Sequence, residues 1–224
     1  MSKYLERLEA LLGNENVEKL KNSTVAVVGL GGVGGIAAIA LARSGVGTII
    51  IQDFDTVCES NFNRQIIASI DTLGKFKVDV MEEMISKINP ECKIIKVNEK
   101  FDSNSCLFKN DFNYLIDAID SVNEKILLIK TCLDRNIDFI SSMGTAKKVD
   151  IKKLAIININ QTSYDPLAKV IRRKLRENNI MANFKVLSST EEPKKLEMLG
   201  SYMPVTSTAG LMIADYIIKK IIEK

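Results

Sequence analysis

Residues 24–34 read T-V-A-V-V-G-L-G-G-V-G, and no other segment constrains the fold as tightly. A short apolar, β-branched run, Thr24 to Val28, meets Gly29, Gly31, Gly32 and Gly34. A helical stretch comes next, from Ile36 to Ala42. Strand, glycine turn and helix in that order put a phosphate group at a helix N-terminus. The glycines let the backbone come close, and exposed N–H groups with the helix dipole favour the anion. Asp53 ends the next apolar run, T-I-I-I-Q-D, where such folds hold a ribose hydroxyl. The segment implies a nucleotide, without saying which.

The rest of the chain alternates in the same sense. A helical pattern over residues 3–21 precedes the first strand. Further strands are expected at 48–52, 93–97, 114–117 and 138–142, with helices at about 75–89 and 121–136 between them. This β-α-β order predicts an α/β fold, a doubly wound, mostly parallel Rossmann-like sheet with an extended C-terminal half. In such a sheet ligands lie at the C-terminal ends of the strands. Beyond residue 143 the pattern gives strands at 154–159 and 185–189, a helix at 166–178 and a last helix from near Ser207. No clear linker divides the chain. We expect one domain over 1–224, with a nucleotide-binding half at 1–143 and a basic half at 144–224.

Composition excludes several classes of chemistry. The chain has no histidine, so imidazole acid–base catalysis and histidine metal ligands are ruled out. Its four cysteines, at 58, 92, 106 and 132, form no C-x-x-C pair, which argues against zinc. No leader-like apolar segment opens the chain, and the apolar run 209–222 is broken by Asp215, Lys219 and Lys220. Neither a signal peptide nor a membrane span is expected, and a cytoplasmic location with free thiols is the default. Net charge is only +3, but unevenly spread. Residues 1–143 carry 16 basic and 20 acidic side chains, and 144–224 carry 15 and 8. The basic half points either to a polyanionic partner or to a lysine-rich, solvated surface.

The residues beyond the glycine turn decide between nucleotides. Residues 53–65 read D-F-D-T-V-C-E-S-N-F-N-R-Q, and G-K-F-K at 74–77 and I-D-A-I-D at 116–120 come after them. Arg64 and Lys77 are cations suited to a triphosphate. Asn61 can donate to phosphate oxygens. Asp120, just past the fourth strand, offers a carboxylate to Mg²⁺. A dinucleotide dehydrogenase needs no such set, whereas chemistry at the α-phosphate of ATP does. Taken singly, each residue has a plain structural alternative: a cap for Asn61 and for Asp120, a surface ion pair for Arg64.

With these motifs the sequence resembles the ubiquitin-activating-enzyme-like superfamily, the adenylating enzymes of molybdopterin and thiamine biosynthesis. Within it the chain is most similar to the tRNA threonylcarbamoyladenosine dehydratases. The similarity runs through A-R-S-G-V-G (42–47), I-S-S-M-G (140–144), S-Y-D-P-L-A-K-V-I-R-R-K-L-R (163–176) and P-V-T-S-T-A-G-L (204–211). The resemblance implies ATP and Mg²⁺ as cofactors. Gly29, Gly31, Gly32, Gly34, Asp53, Asp55, Asn61, Arg64 and Lys77 would bind the nucleotide, and Asp120 the metal. Catalysis would rest on Arg64, Lys77, Asp120 and Arg7. Arg7 matches an arginine that reaches the neighbouring subunit's triphosphate, which implies a homodimer. Sulfur-transfer proteins are further candidate partners.

Protein-modifier activators of this superfamily place a nucleophilic cysteine after the fifth strand. Residues 133–224 contain none, so a thioester or persulfide relay there is impossible. Cys58 is expected to be a spectator thiol. The resemblance implies ATP-dependent cyclisation of threonylcarbamoyladenosine in tRNA through an acyl-adenylate. Two alternatives stay open: adenylation of the C-terminus of a small sulfur-carrier protein, and a non-catalytic nucleotide-binding module. Within the helix at 166–178, Lys169, Arg172, Arg173 and Arg176 share one face by i, i+3, i+4, i+7 spacing. That stripe is the expected tRNA contact, the plain alternative being a solvated helix face.

Overall fold

The computed structural model describes residues 3–180 and 183–223. Short runs rich in β-branched and other apolar residues become the first five strands: β1 (Thr24–Val28), β2 (Thr48–Gln52), β3 (Lys93–Val97), β4 (Tyr114–Asp117) and β5 (Asp138–Ser142). Two more complete the set, β6 (Leu154–Asn158) and β7 (Lys185–Ser189). They form one seven-stranded sheet in the order β3-β2-β1-β4-β5-β7-β6. All pairings are parallel except β6 with β7, which is antiparallel. The β5–β7 pairing joins the two halves expected from sequence within a single sheet.

Strand residues alternate between two apolar layers, as the period of two requires. Val25, Val27, Ile49 and Ile51 face one cluster, and Ala26, Val28 and Ile50 the other. Helices α1 (Glu6–Leu12), α2 (Asn14–Lys21), α3 (Gly34–Arg43), α4 (Lys77–Ile88), α5 (Val122–Asp134), α6 (Pro166–Glu177) and α7 (Met203–Ile222) supply the outer layers. The first cluster takes Leu20 of α2, Ala38 and Leu41 of α3, Met81 and Ile85 of α4, and Ile213 and Ile217 of α7. The second takes Leu128 and Cys132 of α5. A third, between α5 and α6, joins Ile129, Ile171, Leu175, Phe184 and Val186. No helix of the described residues is long and apolar enough to cross a membrane.

Two expected boundaries shift for identifiable reasons. The single N-terminal helix is broken at Gly13, whose φ of +84° no helix accommodates. The last helix starts at Met203 rather than near Ser207. Pro204 lies in its first turn, where its missing N–H costs nothing.

Candidate active site

The glycine segment leaves the end of β1 and turns into α3 at the C-terminal edge of the sheet. Two of its glycines are required by close approach. A Cβ on Gly34 would lie 1.9 Å from the Gly29 carbonyl oxygen. One on Gly29, whose φ is +91°, would lie 2.7 Å from the Ala118 carbonyl oxygen. Gly31 is different. The nearest atom to a Cβ there is Gln65 Nε2 at 4.0 Å, so the space above Gly31 is open. That space is a cradle a side chain would fill, at the mouth of a helix whose first-turn N–H groups lack intrahelical acceptors.

The acidic and basic residues expected from sequence gather at this edge. Asp53 is buried and braces the turn: its Oδ2 accepts the Leu30 N–H at 2.6 Å and its Oδ1 the Asp55 N–H at 2.9 Å. Lys77, the first residue of α4, is only 5% exposed. Its Nζ lies 2.7 Å from Asp55 Oδ2 and 3.8 Å from Asp53 Oδ1. Asp55 is half exposed and so keeps one face open to a ligand. Asn61 is buried, and its Oδ1 accepts the Cys58 N–H at 3.2 Å, which is the capping role that its sequence position also allows. Arg64 is half-buried; its guanidinium donates to the Ser60 carbonyl at 2.7 Å and to Asn63 Oδ1 at 3.0 Å. The Arg64 carbonyl oxygen lies 3.3 Å from where a Cβ on Gly32 would stand. Among the described residues, Arg64 has no ion pair. Its cation rests on neutral oxygens of its own loop, at Ser60 and Asn63.

Asp120 is exposed just beyond β4, next in sheet order to β1. Among the described residues, no three Cys, Asp or Glu side chains converge as a metal cage. A lone carboxylate suits Mg²⁺, which binds through one or two carboxylates with phosphate and water completing the shell.

Sequence reading missed the support beneath this site. Asp117 and Lys125 are both fully buried, with Nζ and Oδ2 2.7 Å apart. Ser141 Oγ donates to the same Oδ2 at 2.5 Å, and Asp117 Oδ1 accepts the Ile119 N–H at 3.1 Å. This unit therefore fixes the turn that carries Ala118 against Gly29 and leads to Asp120. Burial lowers the Lys125 ammonium from its ordinary range, and the Asp117 charge opposes that shift. The signal was present: Lys125, Leu128, Ile129 and Cys132 fall at i, i+3, i+4, i+7 and all are buried. Gln65 was also passed over. It is buried beside Gly31, and its Oε1 has no hydrogen-bond partner among the described residues.

The remaining expected residues lie elsewhere. Leu5 is buried against Gly45, and Tyr4 donates to Asn89 Oδ1 at 2.6 Å. Gly45 and Asn89 precede β2 and β3, so Arg7 sits near the N-terminal edge of the sheet. A five-residue strand, roughly 16 Å, separates that edge from the glycine turn. On α6, Lys169, Arg173 and Arg176 are exposed. Arg172 does not join them as a free cation. It is half-buried, and its guanidinium donates to the Thr162 carbonyl at 3.1 Å and to the Thr162 hydroxyl. Nor is the stripe without an acid, because Glu177 lies 3.5 Å from Arg173. Thr162 lies ten residues upstream on the loop that leads into α6, and helical spacing cannot reveal such a partner.

Cys132 and Cys92 are buried, and desolvation pushes their thiols up to about 12 and about 11. Cys58 is exposed.

Comparison with known proteins matches residues 4–224 to the model of the ThiF family. The chain belongs to the ThiF family. It is 46% identical over 195 residues to a tRNA threonylcarbamoyladenosine dehydratase of Bacillus subtilis, covering 86% of this chain and 77% of that protein. The Escherichia coli dehydratase is 31% identical, over 96% of this chain and 91% of its own. The crystal structure of the Escherichia coli enzyme in complex with ATP superposes with a TM-score of 0.94, over 99% of this chain and 94% of that one, at 33% identity. A complex of the same enzyme with AMP superposes equally well.

Proposed function

We propose that this ThiF-family chain is an ATP-dependent dehydratase that cyclises threonylcarbamoyladenosine in tRNA. One observation carries the reading. The glycine turn, open at Gly31 and braced by Asp53, to which Lys77 and Asp55 are joined, lies in a chain similar over nearly its whole length to a dehydratase solved with ATP. The modification's carboxylate is a poor electrophile because oxide does not leave. Its attack on the α-phosphate forms an acyl-adenylate and releases pyrophosphate. A neighbouring atom of the same modification then closes a ring and expels AMP. The enzyme's share is positioning and charge neutralisation, which needs no histidine.

In this reading the glycine turn and α3 hold the phosphates, with Arg64 and Lys77 neutralising them. Asn61, buried at the loop's 3-10 turn, shapes the phosphate side. Asp53 keeps the turn in shape and holds the ribose, with Asp55 beside it. Asp120 would hold Mg²⁺, which withdraws charge from the phosphates. Arg7 is too far from its own chain's turn and would serve a second copy, so the site is completed in a homodimer. Lys169, Arg173 and Arg176 contact tRNA phosphates, and Arg172 holds the loop at Thr162. A single catalytic unit acting in the cytoplasm, with the basic half as its substrate side, fits this arrangement.

The test is pyrophosphate release by the full chain. It should depend on tRNA bearing threonylcarbamoyladenosine and not on a carrier protein with a free C-terminal glycine. Release driven by the carrier alone would replace this reading with the sulfur-carrier one. Nucleotide binding without turnover on either substrate would leave a non-catalytic module.

A further inference from the structure

Tyr164 combines three properties that nothing in the fold requires together. It has φ of +51°, in the left-handed region that aromatic residues avoid. The residue is 61% exposed, so no core demands an aromatic there. Its backbone is held from both sides. The Tyr164 carbonyl accepts from Lys148 Nζ at 3.1 Å, and that buried ammonium also reaches the carbonyls of Ser189 at 2.9 Å and Glu191 at 3.0 Å. The next residue, Asp165, is 4% exposed. It accepts the Ala168 N–H at the start of α6, the Gly144 N–H beyond β5 and the Ser188 hydroxyl of β7. A strained residue whose surroundings over-determine it is a mark of function.

Its location narrows that function. Gly144 and Ser188 lie at the C-terminal ends of β5 and β7, the edge that carries the glycine turn and Asp120. Sheet order puts β5 two strands from β1, roughly 10 Å away. The carboxylate of threonylcarbamoyladenosine stands one peptide-like unit beyond the base, roughly 4–5 Å. A base held near β5 and β7 can therefore present its carboxylate toward a phosphate over β1 and β4. The exposed cations of α6 begin five residues after Tyr164, where the backbone of the same nucleic acid would run. Proteins that read unpaired bases stack them on exposed aromatic rings.

We propose that Tyr164 is the platform on which the adenine ring of the modified nucleotide stacks. The proposal rests on the tRNA-dehydratase reading of the site. Tyr164 is then a specificity-determining residue for the base, and Lys148 and Asp165 are the positioning residues that hold it.

The test uses the full chain, ATP and a short RNA stem-loop carrying threonylcarbamoyladenosine in its loop. Pyrophosphate release gives KM for the RNA and kcat, calorimetry gives the ATP Kd, and thermal melting reports folding. Tyr164→Phe keeps the ring and should stay within twofold of wild type in KM. Tyr164→Ala and Tyr164→Gly remove it and should raise KM about tenfold or more, as loss of one base–aromatic stack does. ATP Kd should hold within twofold in all variants. Glycine takes positive φ freely, so Tyr164→Gly separates the ring from the backbone strain and guards against misfolding. A Tyr164→Gly protein that melts no lower than wild type and keeps its KM overturns the proposal. So does a Tyr164→Phe protein as weak as Tyr164→Ala, which would make the hydroxyl, not the ring, the recognised group. If the wild-type chain releases no pyrophosphate with the modified RNA, the dehydratase reading itself falls and takes the platform with it.

Discussion

Replacing Lys125 by Met isolates the cost of the buried support beneath the glycine turn. Both partners of the Lys125–Asp117 pair are inaccessible to solvent, and their atoms are 2.7 Å apart. Met matches the length of the lysine stem but leaves Asp117 as a buried carboxylate without a cation. Its remaining donors are the Ser141 hydroxyl and the Ile119 N–H. Stranding one member of a buried pair costs about 3–5 kcal/mol. In a chain of this length each kcal/mol moves Tm by about 2–4 °C, so a fall of about 6–20 °C is expected. The double variant Lys125→Met with Asp117→Asn leaves no uncompensated charge. Its amide oxygen can still accept the Ile119 N–H, so it should recover a large share of the loss. Urea denaturation of wild type, the two single variants and the double variant closes the cycle. A Lys125→Met protein within about 1 kcal/mol of wild type would refute the reasoning, since that is the range of solvated surface pairs. A double variant as unstable as the sum of the singles would refute it too.

Four further outcomes are expected. Gly31→Ala should fold normally and bind ATP more weakly, because its Cβ enters open space, whereas Gly34→Ala should lower Tm sharply, its Cβ meeting the Gly29 carbonyl; equal melting of the two variants would contradict this geometry. At pH 8, iodoacetamide mass mapping should find Cys58 modified while Cys92 and Cys132 stay intact, since burial raises the latter two thiols to about 11 and about 12. Replacing Lys169, Arg173 and Arg176 by Ala should weaken tRNA binding and flatten its salt dependence by about one unit per lost phosphate contact. Arg172→Ala should instead lower Tm through its loop contacts to Thr162, and a salt slope unchanged in the triple variant would make the stripe a solvated face.

The sheet was legible because its strands announce themselves. Runs such as Val25–Val28 and Ile49–Ile51 are buried on both sides, so they are continuous and apolar, and the glycine turn fixes the direction of the first. What the sequence could not convey is which polar atoms face inward. Lys77 and Arg64 read alike as cations near a phosphate. The structure buries Lys77 between two carboxylates, while Arg64 rests on neutral oxygens. The two cations therefore differ in what a triphosphate must displace. Arg64 can turn from a carbonyl to a phosphate with little loss, because its present acceptors are neutral. Lys77 cannot move freely without exposing Asp53 and Asp55 to each other, so it supplies a fixed charge rather than a mobile one. The same blindness hid Asp117 and Arg172, whose partners are separated from them by eight and ten residues. Periodicity reports which face of an element is buried. It does not report whether a charge on that face has found its counterpart, and in this site that pairing sets the shape of the turn that would receive the nucleotide.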